Sequence, residues 1–523
     1  SHPLSEVTRK LNFSFDGLDA WDQRYANDGN QSQTEPPDQG LCVGNGYILE
    51  SVNTVLRVFD PQGKPLSPTV DLNTFYGYPA QFDRTTKLHG PSILDPSCLF
   101  DPESQRWFQV AAVQEVDPIS GEPVPYMHID IAVSQTAKPT GKWVVYKVPV
   151  QNNGTEGTPN HACGKYCFGD YPHIGADQYG FYLTTNEFGL DPETFRGAQI
   201  YAFSKKALAE NQAVVDQTLF DTVGLVHSGN GIQPGSTVWP AQSPNGKGDM
   251  RHGGVAYFLS SVDPDTDQSY GHEIVVWALS NTRSLNELNP SLKLTNQVLE
   301  SQSYGNSPLA NQGEGNFPLG ECLNDRKQLL GSGKDCWTMF LDKPPEQMAV
   351  IGPLDSNDTR MQQVSYVNGL LYGAIDTIVD VEHEERAGIA YFAIKPKMTG
   401  KNTVTGQILR QGYLALQGHH LIYPAFGVLR GGQGVMGFTV VGNDLHPSAG
   451  YALYDGHQFG EIYLAAIGRG VQDGFTEYPA LTDGSLRPRW GDYAAVATDG
   501  RSIWIANEYT AQSCTLAEYL QAP

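Results

Sequence analysis

The sequence predicts an all-β protein built from one unit that repeats along the chain. Residues 168–188 and 489–509 share one pattern, which is Gly-Asp-Tyr, an Asp-led turn, an aromatic strand and Asn-Glu-aromatic. In both copies the first aspartate, Asp170 or Asp492, lies seven positions before the turn aspartate. The composition agrees, because 56 Gly, 34 Pro and 11% aromatic residues are typical of many short strands joined by tight turns. Such distant self-similarity indicates a repeat array.

Taken in order, the chain divides into a lead-in, seven units and one insertion. Residues 1–35 are polar and weakly patterned, and we expect them to supply a strand that closes the last unit. Residues 301–350 are rich in Gly, Asn and Pro with few strand signals, which indicates a long insertion. The units start near 38, 95, 170, 239, 361, 423 and 492. Seven four-stranded antiparallel sheets around one axis predict a seven-bladed β-propeller, with residues 36–523 as its single domain.

The charge and hydropathy patterns exclude some classes of partner. A net charge of −23 argues against nucleic acid or an anionic membrane surface, since phosphate binding needs basic patches. No apolar run approaches the roughly 20 residues that a membrane helix requires, so we expect no membrane insertion. No basic-then-apolar leader stands at Ser1, and we expect any export signal to have been removed. We also expect the protein to be a monomer.

The cysteines predict an oxidising compartment. Two pairs flank polar loops, and we expect them to form disulfides: Cys163–Cys167 and Cys322–Cys336. A zinc site at Cys163 and Cys167 is the alternative, although no second pair stands nearby at ligand spacing. Four Asn-x-Ser/Thr sequons, which are compatible with a secreted glycoprotein, stand at Asn12, Asn30, Asn153 and Asn357. We therefore predict a secreted, extracellular protein.

Two further cysteines occupy equivalent positions. Cys42 lies three residues before Asn45, and Cys98 lies three before Asp101. This register puts both on the innermost strand of neighbouring units, where equivalent side chains point the same way round the ring. We expect Cys42 and Cys98 to be buried free thiols.

Several motifs resemble those of a large family of secreted, seven-bladed, sialidase-like propeller proteins. They are PPD…G at 36–40, DP…DP…RWF at 95–108, GDYP…D at 169–177, D.RM.Q…Y at 358–366 and RWGDY…NEY at 489–509. The resemblance spans nearly the whole chain and implies the propeller fold. Most members of that family have no assigned reaction. The chain lacks the Ser-x-Asp-x-Gly-x-x-Trp box of true sialidases, so the resemblance does not imply sialidase activity.

Four aspartates stand where innermost strands begin, and we expect them to crowd one mouth of the central channel: Asp38, Asp95, Asp170 and Asp492. Four close carboxylates cannot all ionise unless a cation or an arginine compensates them. Calcium, a hard cation that prefers oxygen ligands, is one interpretation, and no other cofactor is expected. Capping of each unit through backbone N–H groups is the alternative. The later aspartates Asp101, Asp177 and Asp499 are predicted turn formers.

The returning strands predict paired acids at the same mouth. Turns near 179 and 500 would place Glu187 opposite Asp170 and Glu508 close to Asp492. Paired carboxyl groups are what glycoside hydrolysis requires. The alternative is that the two glutamates only hold arginines such as Arg489 in place.

A polysaccharide lyase is the rival mechanism, with a histidine as base and an arginine that neutralises a uronate carboxylate. His89 precedes the second inner strand and is the candidate base. We expect the substrate to be contacted by two arginines and four aromatic rings: Arg251, Arg360, Trp239, Tyr171, Tyr423 and Tyr493.

The sequence thus predicts a glycan-acting enzyme, a hydrolase or a lyase, with carbohydrate as its partner. The predicted catalytic set is His89, Asp170, Glu187, Asp492, Glu508 and Arg489. A non-catalytic module that binds glycan or protein, and a purely structural extracellular protein, are the alternatives.

Overall fold

The computed structural model describes residues 2, 4–5, 11, 13–31, 34, 36–190, 193–264, 270–315, 352–472 and 488–511. Strands hold 53% of the described residues and helices 6%, so the prediction of a mostly β protein is confirmed. The predicted Cys322–Cys336 disulfide and most of the predicted insertion lie outside the described residues. None of the described helices has the length and apolar composition needed to cross a membrane.

The described strands form consecutive antiparallel units in chain order. The first three units are β2 (Gly40–Gly44), β3 (Tyr47–Val52), β4 (Val55–Phe59) and β5 (Val70–Asp71); β6 (Ser92–Asp101), β7 (Arg106–Val116), β8 (Pro123–Ser134) and β9 (Trp143–Pro149); and β10 (Cys167–Ala176), β11 (Gly180–Leu190), β12 (Glu193–Ser204) and β13 (Gln217–Asp221). The next three are β16 (Trp239–Gln242), β17 (Val255–Ser261), β18 (Tyr270–Ser280) and β19 (Lys293–Gly305); β20 (Val364–Val367), β21 (Leu370–Val381), β22 (Glu384–Met398) and β23 (Val404–Leu414); and β24 (His419–Val428), β25 (Gly434–Gly442), β26 (Leu445–Tyr454) and β27 (Phe459–Ala466). The last described pair is β28 (Ala495–Thr498) and β29 (Ile503–Ala506).

The remaining elements are short. β14 (Val226–Ser228) and β15 (Gly231–Gln233) form a separate hairpin, and three helices are α1 (Ala20–Tyr25), α2 (Leu72–Tyr76) and α3 (Lys205–Ala209). Three 3₁₀ turns cover Ala26–Gly29, Arg251–Gly253 and Thr282–Asn286. The lead-in strand β1 (Leu4–Ser5) pairs in parallel with β27 of the sixth unit, through Leu4 to Ile462. The prediction that the lead-in closes the last unit is therefore wrong, because this strand extends the sixth.

The first strand of each unit lies beside the first strand of the next. Contacts join β2 to β6, β6 to β10, β10 to β16, β16 to β20, β20 to β24, β24 to β28, and β28 back to β2. Two of these contacts are parallel pairings, with Ala176 opposite Gln242 and Ala241 opposite Val364. No sheet closes on itself by hydrogen bonds. We call the end where these first strands begin the start face, and the end where they turn back the turn face.

Apolar clusters between neighbouring units form the core. One cluster joins Val110 and Ile129 of the second unit to Ile174 and Phe181 of the third, and similar clusters join the third unit to the fourth, the fourth to the fifth and the fifth to the sixth. Strands that are covered on both faces do not alternate between buried and exposed residues. Residues 127–134 of β8 are accordingly all buried. The packing between sheets thus fixes how the first strands meet.

The turn aspartates were predicted correctly. Asp177 Oδ1 accepts hydrogen bonds from Tyr179 N at 2.8 Å and Gly180 N at 2.6 Å. Asp499 Oδ1 accepts from two turn amides at 2.7 and 2.8 Å, and Asp101 Oδ2 accepts from Ser104 N at 2.8 Å. Each side chain satisfies amides that a tight turn leaves without backbone partners.

Bulges interrupt three of the first strands at the start face. In each bulge a residue with positive φ stands directly before a proline: Asp95 at 55°, Tyr171 at 59° and Tyr423 at 56°. A left-handed non-glycine residue costs about 1–2 kcal/mol, so it persists only where its surroundings hold it. The bulges make Asp95 equivalent to Tyr171 and not to Asp170, which explains why the spacing to the turn aspartate is six residues in one unit and seven in the other.

The cysteine predictions had mixed outcomes. Cys163 and Cys167 form a disulfide, as expected. Cys42 and Cys98, which we expected to be free thiols, are bonded to each other with a Cα–Cα distance of 5.4 Å. The prediction failed because β2 and β6 run side by side, which brings residues at the same level within the usual Cα separation of a disulfide.

Candidate functional site

The four predicted aspartates are brought together at the start face, next to a buried asparagine. The Asp492 N–H donates to Asp38 Oδ1 at 2.8 Å. Asn53 Nδ2 donates to Asp38 Oδ2 at 2.7 Å, and Asn53 Oδ1 accepts from Asp95 N at 2.7 Å. Asp38 and Asn53 are 2% exposed, whereas Asp95, Asp170 and Asp492 are half-buried. The cluster therefore has a buried base and a surface that solvent reaches.

The carboxyl groups of Asp95 and Asp170 interact with each other. Burial, and secondarily the neighbouring charge of Asp170, raise the pKa of Asp95 well above its ordinary value. Burial also raises the pKa of Asp170, but the interaction with Asp95 acts in the opposite direction. The protonated form is therefore favoured more strongly at Asp95 than at Asp170.

Arginines compensate the negative charge of Asp492. Arg489 Nη2 lies 2.6 Å from Asp492 Oδ2, and Arg360 Nη1 lies 3.6 Å from Asp492 Oδ1. Arg360 is fixed by two bonds to Asp358, of 2.7 and 2.8 Å, and its guanidinium lies 5.0 Å from the ring centre of Tyr171. The arginine and carboxylate side chains are 21–38% exposed, so a ligand at this face reaches them. The sequence analysis considered either a cation or an arginine as the positive charge that compensates the carboxylates. Among the described residues, arginines provide this charge.

The predicted aromatic platforms are buried. Tyr171, Trp239, Tyr423 and Tyr493 are each 3–4% exposed. Their hydroxyl groups bind backbone carbonyls: Tyr171 to Asp492 at 2.9 Å, Tyr493 to Pro96 at 3.0 Å and Tyr423 to Asp355 at 3.3 Å. Tyr171 and Tyr423 stand in the bulges, and the hydroxyl groups of Tyr171 and Tyr493 hold the backbone of the acidic cluster at Asp492 and Pro96. Rings with covered faces do not offer the stacking surface that we expected for a sugar.

A histidine lies beneath the acidic cluster. His173 is 2% exposed, its ring is stacked on Trp239 with 3.4 Å between the centroids, and Tyr171 meets it edge-on at 4.2 Å. Neither ring nitrogen has a hydrogen-bond partner among the described residues. Burial, and secondarily the charge of Arg360, lower the pKa of His173 well below its ordinary value. The imidazole is therefore neutral.

Sequence reasoning missed a set of side chains that joins one unit to the next. Each accepts the N–H of a positive-φ residue on the following first strand, which holds the strained backbone in place. The pairs are Asp95 N to Asn53 Oδ1 at 2.7 Å, Thr237 N to Asn186 Oδ1 at 2.9 Å, and Tyr423 N to Asp376 Oδ1 at 2.8 Å. Of the three acceptors only Asn186 belongs to an Asn-Glu pair of the repeat, and there our reasoning used the glutamate.

The register of β10 and β11 places Glu187 away from Asp170. Asn186 stands opposite Asp170, and Glu187 stands opposite Gly169. Because side chains alternate between the two faces of a strand, this difference of one residue sends Glu187 to the other face. Its Oε2 lies 2.8 Å from His161 Nδ1. The predicted pairing of Glu187 with Asp170 is wrong.

The residues around Glu187 also test whether Cys163 and Cys167 could hold zinc. Ligand atoms of His161, Cys167 and Glu187 lie within 4.8 Å of one another. The Cys167 sulfur is bonded to Cys163, which leaves no thiolate for a metal. The disulfide interpretation therefore holds in this structure.

The other predicted residues lie at different places. His89 packs on Phe82 with 4.9 Å between ring centroids, and its N–H donates to Pro118 O at 2.9 Å. Arg251 follows the fourth first strand, at the turn face. Glu508 follows β29, and its carbonyl oxygen accepts a hydrogen bond from Thr439 Oγ1 at 3.4 Å. The site thus retains Asp170, Asp492, Arg489 and Arg360, while His89 and Arg251 lie elsewhere.

Comparison with known proteins leaves the family open. No protein-family model matches the chain, and no curated protein matches it significantly. The family resemblance of the sequence motifs therefore stays a prediction.

Solved structures with some likeness have diverse activities. A GH43 enzyme from Xanthomonas citri in complex with xylose has 13% identity and a TM-score of 0.28, with 71% of this chain and 89% of that chain covered. An ulvan lyase of polysaccharide lyase family 25 has 12% identity and a TM-score of 0.31, covering 83% and 85%. The extracellular domains 1–2 of Drosophila Semaphorin 1a have 8% identity and a TM-score of 0.31, covering 81% and 86%. At TM-scores this low the likenesses carry no argument about fold or activity.

Proposed function

We propose that the chain is a secreted, seven-bladed β-propeller that hydrolyses glycosidic bonds at its start face. The single observation that carries the activity is the cluster of Asp38, Asp95 and Asp170 beside the arginine-bound carboxylate of Asp492. The blade count is supported by seven first strands that contact one another in succession and return from β28 to β2. The two disulfides support an oxidising compartment, and hence secretion.

Glycoside hydrolysis requires one carboxyl group that is protonated and one that is ionised. Asp95 retains its proton because it is buried beside other carboxylates. Asp492 is held as an anion by Arg489 and Arg360. In the proposed reaction Asp95 donates its proton to the leaving glycosidic oxygen, and Asp492 stabilises the positive charge that develops on the sugar. Water supplies the hydroxyl group that completes hydrolysis, and its remaining proton restores the carboxylic acid of Asp95.

The geometry favours hydrolysis over elimination. A lyase needs a base beside the uronate, and the histidine proposed for that role, His89, packs on Phe82 away from the aspartates. His173 lies close to the cluster but is sealed between aromatic rings. The carboxyl groups are the titratable groups that solvent reaches at the start face.

The test is a screen of purified protein on a panel of neutral and acidic polysaccharides, with new reducing ends and ultraviolet absorbance both recorded. We expect new reducing ends without unsaturated uronates, and a loss of activity of about 10²–10⁴-fold in Asp95→Asn and Asp492→Asn. Asp499→Asn, which changes a turn aspartate, serves as the control. Unsaturated products would assign a lyase instead. Binding without turnover would assign a binding module, and neither binding nor turnover would refute glycan action.

Calcium and oligomeric state are separate proposals. Oxygen atoms of Asp38, Asp95 and Asp170 are the ligand type that calcium prefers, although the arginines already offset much of the charge. Calcium that is removed by chelation, with loss of activity but not of fold, would support the metal.

Light scattering of the purified protein tests the proposed monomer.

A further inference from the structure

A cavity at the turn face lies far along the first strands from the acidic cluster. Its volume is about 600 Å³, and it is lined by the turns that follow β16, β20 and β24. The lining includes Asn245, Asp249, Arg251, Tyr366, Asn368 and Arg430. Cavities of about 300–1,000 Å³ are typical of small-ligand sites. This cavity is large enough to hold a small saccharide.

One arginine of the cavity is held rigidly by a buried carboxylate. Arg251 binds Asp249 through two hydrogen bonds, Nε to Oδ1 at 2.9 Å and Nη2 to Oδ2 at 2.7 Å. Tyr257 donates to the same Asp249 Oδ2 at 3.0 Å, and the Asp249 side chain is only 4% exposed. The Arg251 side chain is 70% exposed. A buried support for an exposed cation is how proteins pre-organise a binding group.

The second arginine adds an uncompensated positive charge. Arg430 is exposed, and its backbone carbonyl accepts a hydrogen bond from Asn368 Nδ2, which fixes the loop after β24 beside the turn after β20. No ion pair joins Arg430 to any acidic residue in the part of the chain that the structure describes. Two arginines and one aspartate give the lining a net positive charge, in a chain whose net charge is −23.

We propose that this cavity is a second saccharide site, which binds the carboxylate or sulfate group of an acidic sugar through Arg251 and Arg430. Arginine presents planar, paired donors that match both anions. Amide groups of Asn245 and Asn368 supply the hydrogen bonds that sugar hydroxyls require. The site does not depend on the chemistry at the start face.

Isothermal titration tests the site with four probes: a uronate-containing disaccharide, a sulfated disaccharide, a neutral disaccharide and inorganic sulfate. We expect at least one acidic disaccharide to bind more tightly than both the neutral sugar and sulfate alone. Its affinity should fall about tenfold or more in Arg251→Gln and in Arg430→Gln, since a hydrogen bond to a charged group contributes about 1.5–3 kcal/mol. The affinity should also fall as salt is added.

Two controls separate this proposal from the proposed hydrolysis. Arg501→Gln changes an exposed arginine at another turn and should leave the affinity unchanged. Asp95→Asn removes the proposed acid at the start face and should also leave it unchanged. Equal affinity for the neutral sugar, tight binding of sulfate alone, or full affinity in Arg430→Gln would overturn the proposal. Circular dichroism of the variants confirms that each remains folded.

Discussion

Asn53 links the first two units at the base of the acidic cluster, and Asn53→Ala should destabilise the protein strongly. The side chain makes three hydrogen bonds, to Asp95 N at 2.7 Å, Asp38 Oδ2 at 2.7 Å and Pro36 O at 2.8 Å. All three lie in a region where Asn53 itself is 2% exposed. An unsatisfied buried group costs about 1–3 kcal/mol, so the three partners left unsatisfied should lower the unfolding free energy by about 3–9 kcal/mol. That loss is a large part of the roughly 5–15 kcal/mol that stabilises a typical protein.

Urea denaturation followed by tryptophan fluorescence measures the effect, provided that the slope with denaturant is unchanged. Asn296→Ala is the matched control, because it removes one hydrogen bond near the surface, from Nδ2 to Leu225 O at 2.9 Å. It should lose less than about 1 kcal/mol. If the two variants lose equal stability, Asn53 does not hold the strained Asp95 backbone and the reasoning fails.

A second variant at the same position separates the acceptor from the donor. Asn53→Asp keeps an oxygen for Asp95 N but replaces the donor to Asp38 with a second oxygen. At neutral pH the two carboxylates should repel, whereas at low pH a protonated Asp side chain donates to Asp38 again. The stability of Asn53→Asp should therefore approach that of the native protein as the pH falls. Equal loss at pH 4 and pH 8 would contradict this account.

Three further predictions rest on other parts of the structure. Asp95→Asn should shift or abolish the alkaline limb of the activity profile on any substrate found, since a catalytic acid loses its proton as pH rises and the amide has no such proton. Burial raises the pKa of Glu50 from 4.5 to about 7, so the native state binds the proton more tightly than the unfolded state, and the unfolding free energy should fall as pH rises through that window. Glu50→Gln should remove this fall. The double variant Cys42→Ser and Cys98→Ser opens a link with a sequence separation of 56, and it should lower the unfolding free energy by about 4 kcal/mol.

A pH–rate profile tests the Asp95 prediction, and urea midpoints at pH 5 and pH 8 test the Glu50 prediction. The disulfide prediction is tested by comparing the urea midpoint of the oxidised native protein with that of the double serine variant. An unchanged alkaline limb in Asp95→Asn would remove Asp95 from the proposed acid role. Glu300→Gln, at an exposed position, should keep the native pH dependence and serves as the control for Glu50→Gln. Alkylation of Cys42 in the unreduced, unfolded protein would contradict the Cys42–Cys98 bond.

The repeat could be read from the sequence because its signals are local. Asp177 and Asp499 each cap the turn in which they stand, and a turn of a few residues is determined by its own side chains. For the same reason the sequence correctly predicted that Asp170 and Asp492 lie near the beginning of first strands. These features needed no knowledge of how distant segments pack.

The unit-to-unit contacts could not be read in the same way. A bulge adds one residue to a strand, and one residue decides which face every later side chain occupies. The bulge at Tyr171 therefore sent Glu187 to His161 and left Asn186 opposite Asp170. The Cys42–Cys98 bond failed for a related reason, because it depends on the separation of two strands that sequence spacing does not measure.

The strained positions explain why the acidic cluster exists at all. A positive φ directly before proline is unfavourable for Asp95, and folding holds it there only because Asn53 binds its N–H. Asn53 thereby fixes the backbone of Asp95 near Asp170 on the neighbouring first strand, where burial raises the pKa of both carboxyl groups. A chain selected only for stability would gain by replacing either carboxyl group with an amide, since two acids in contact raise each other's cost of ionisation. Retention of the strained pair beside two solvent-reached arginines is the expected arrangement for a site where a proton and an anion are used.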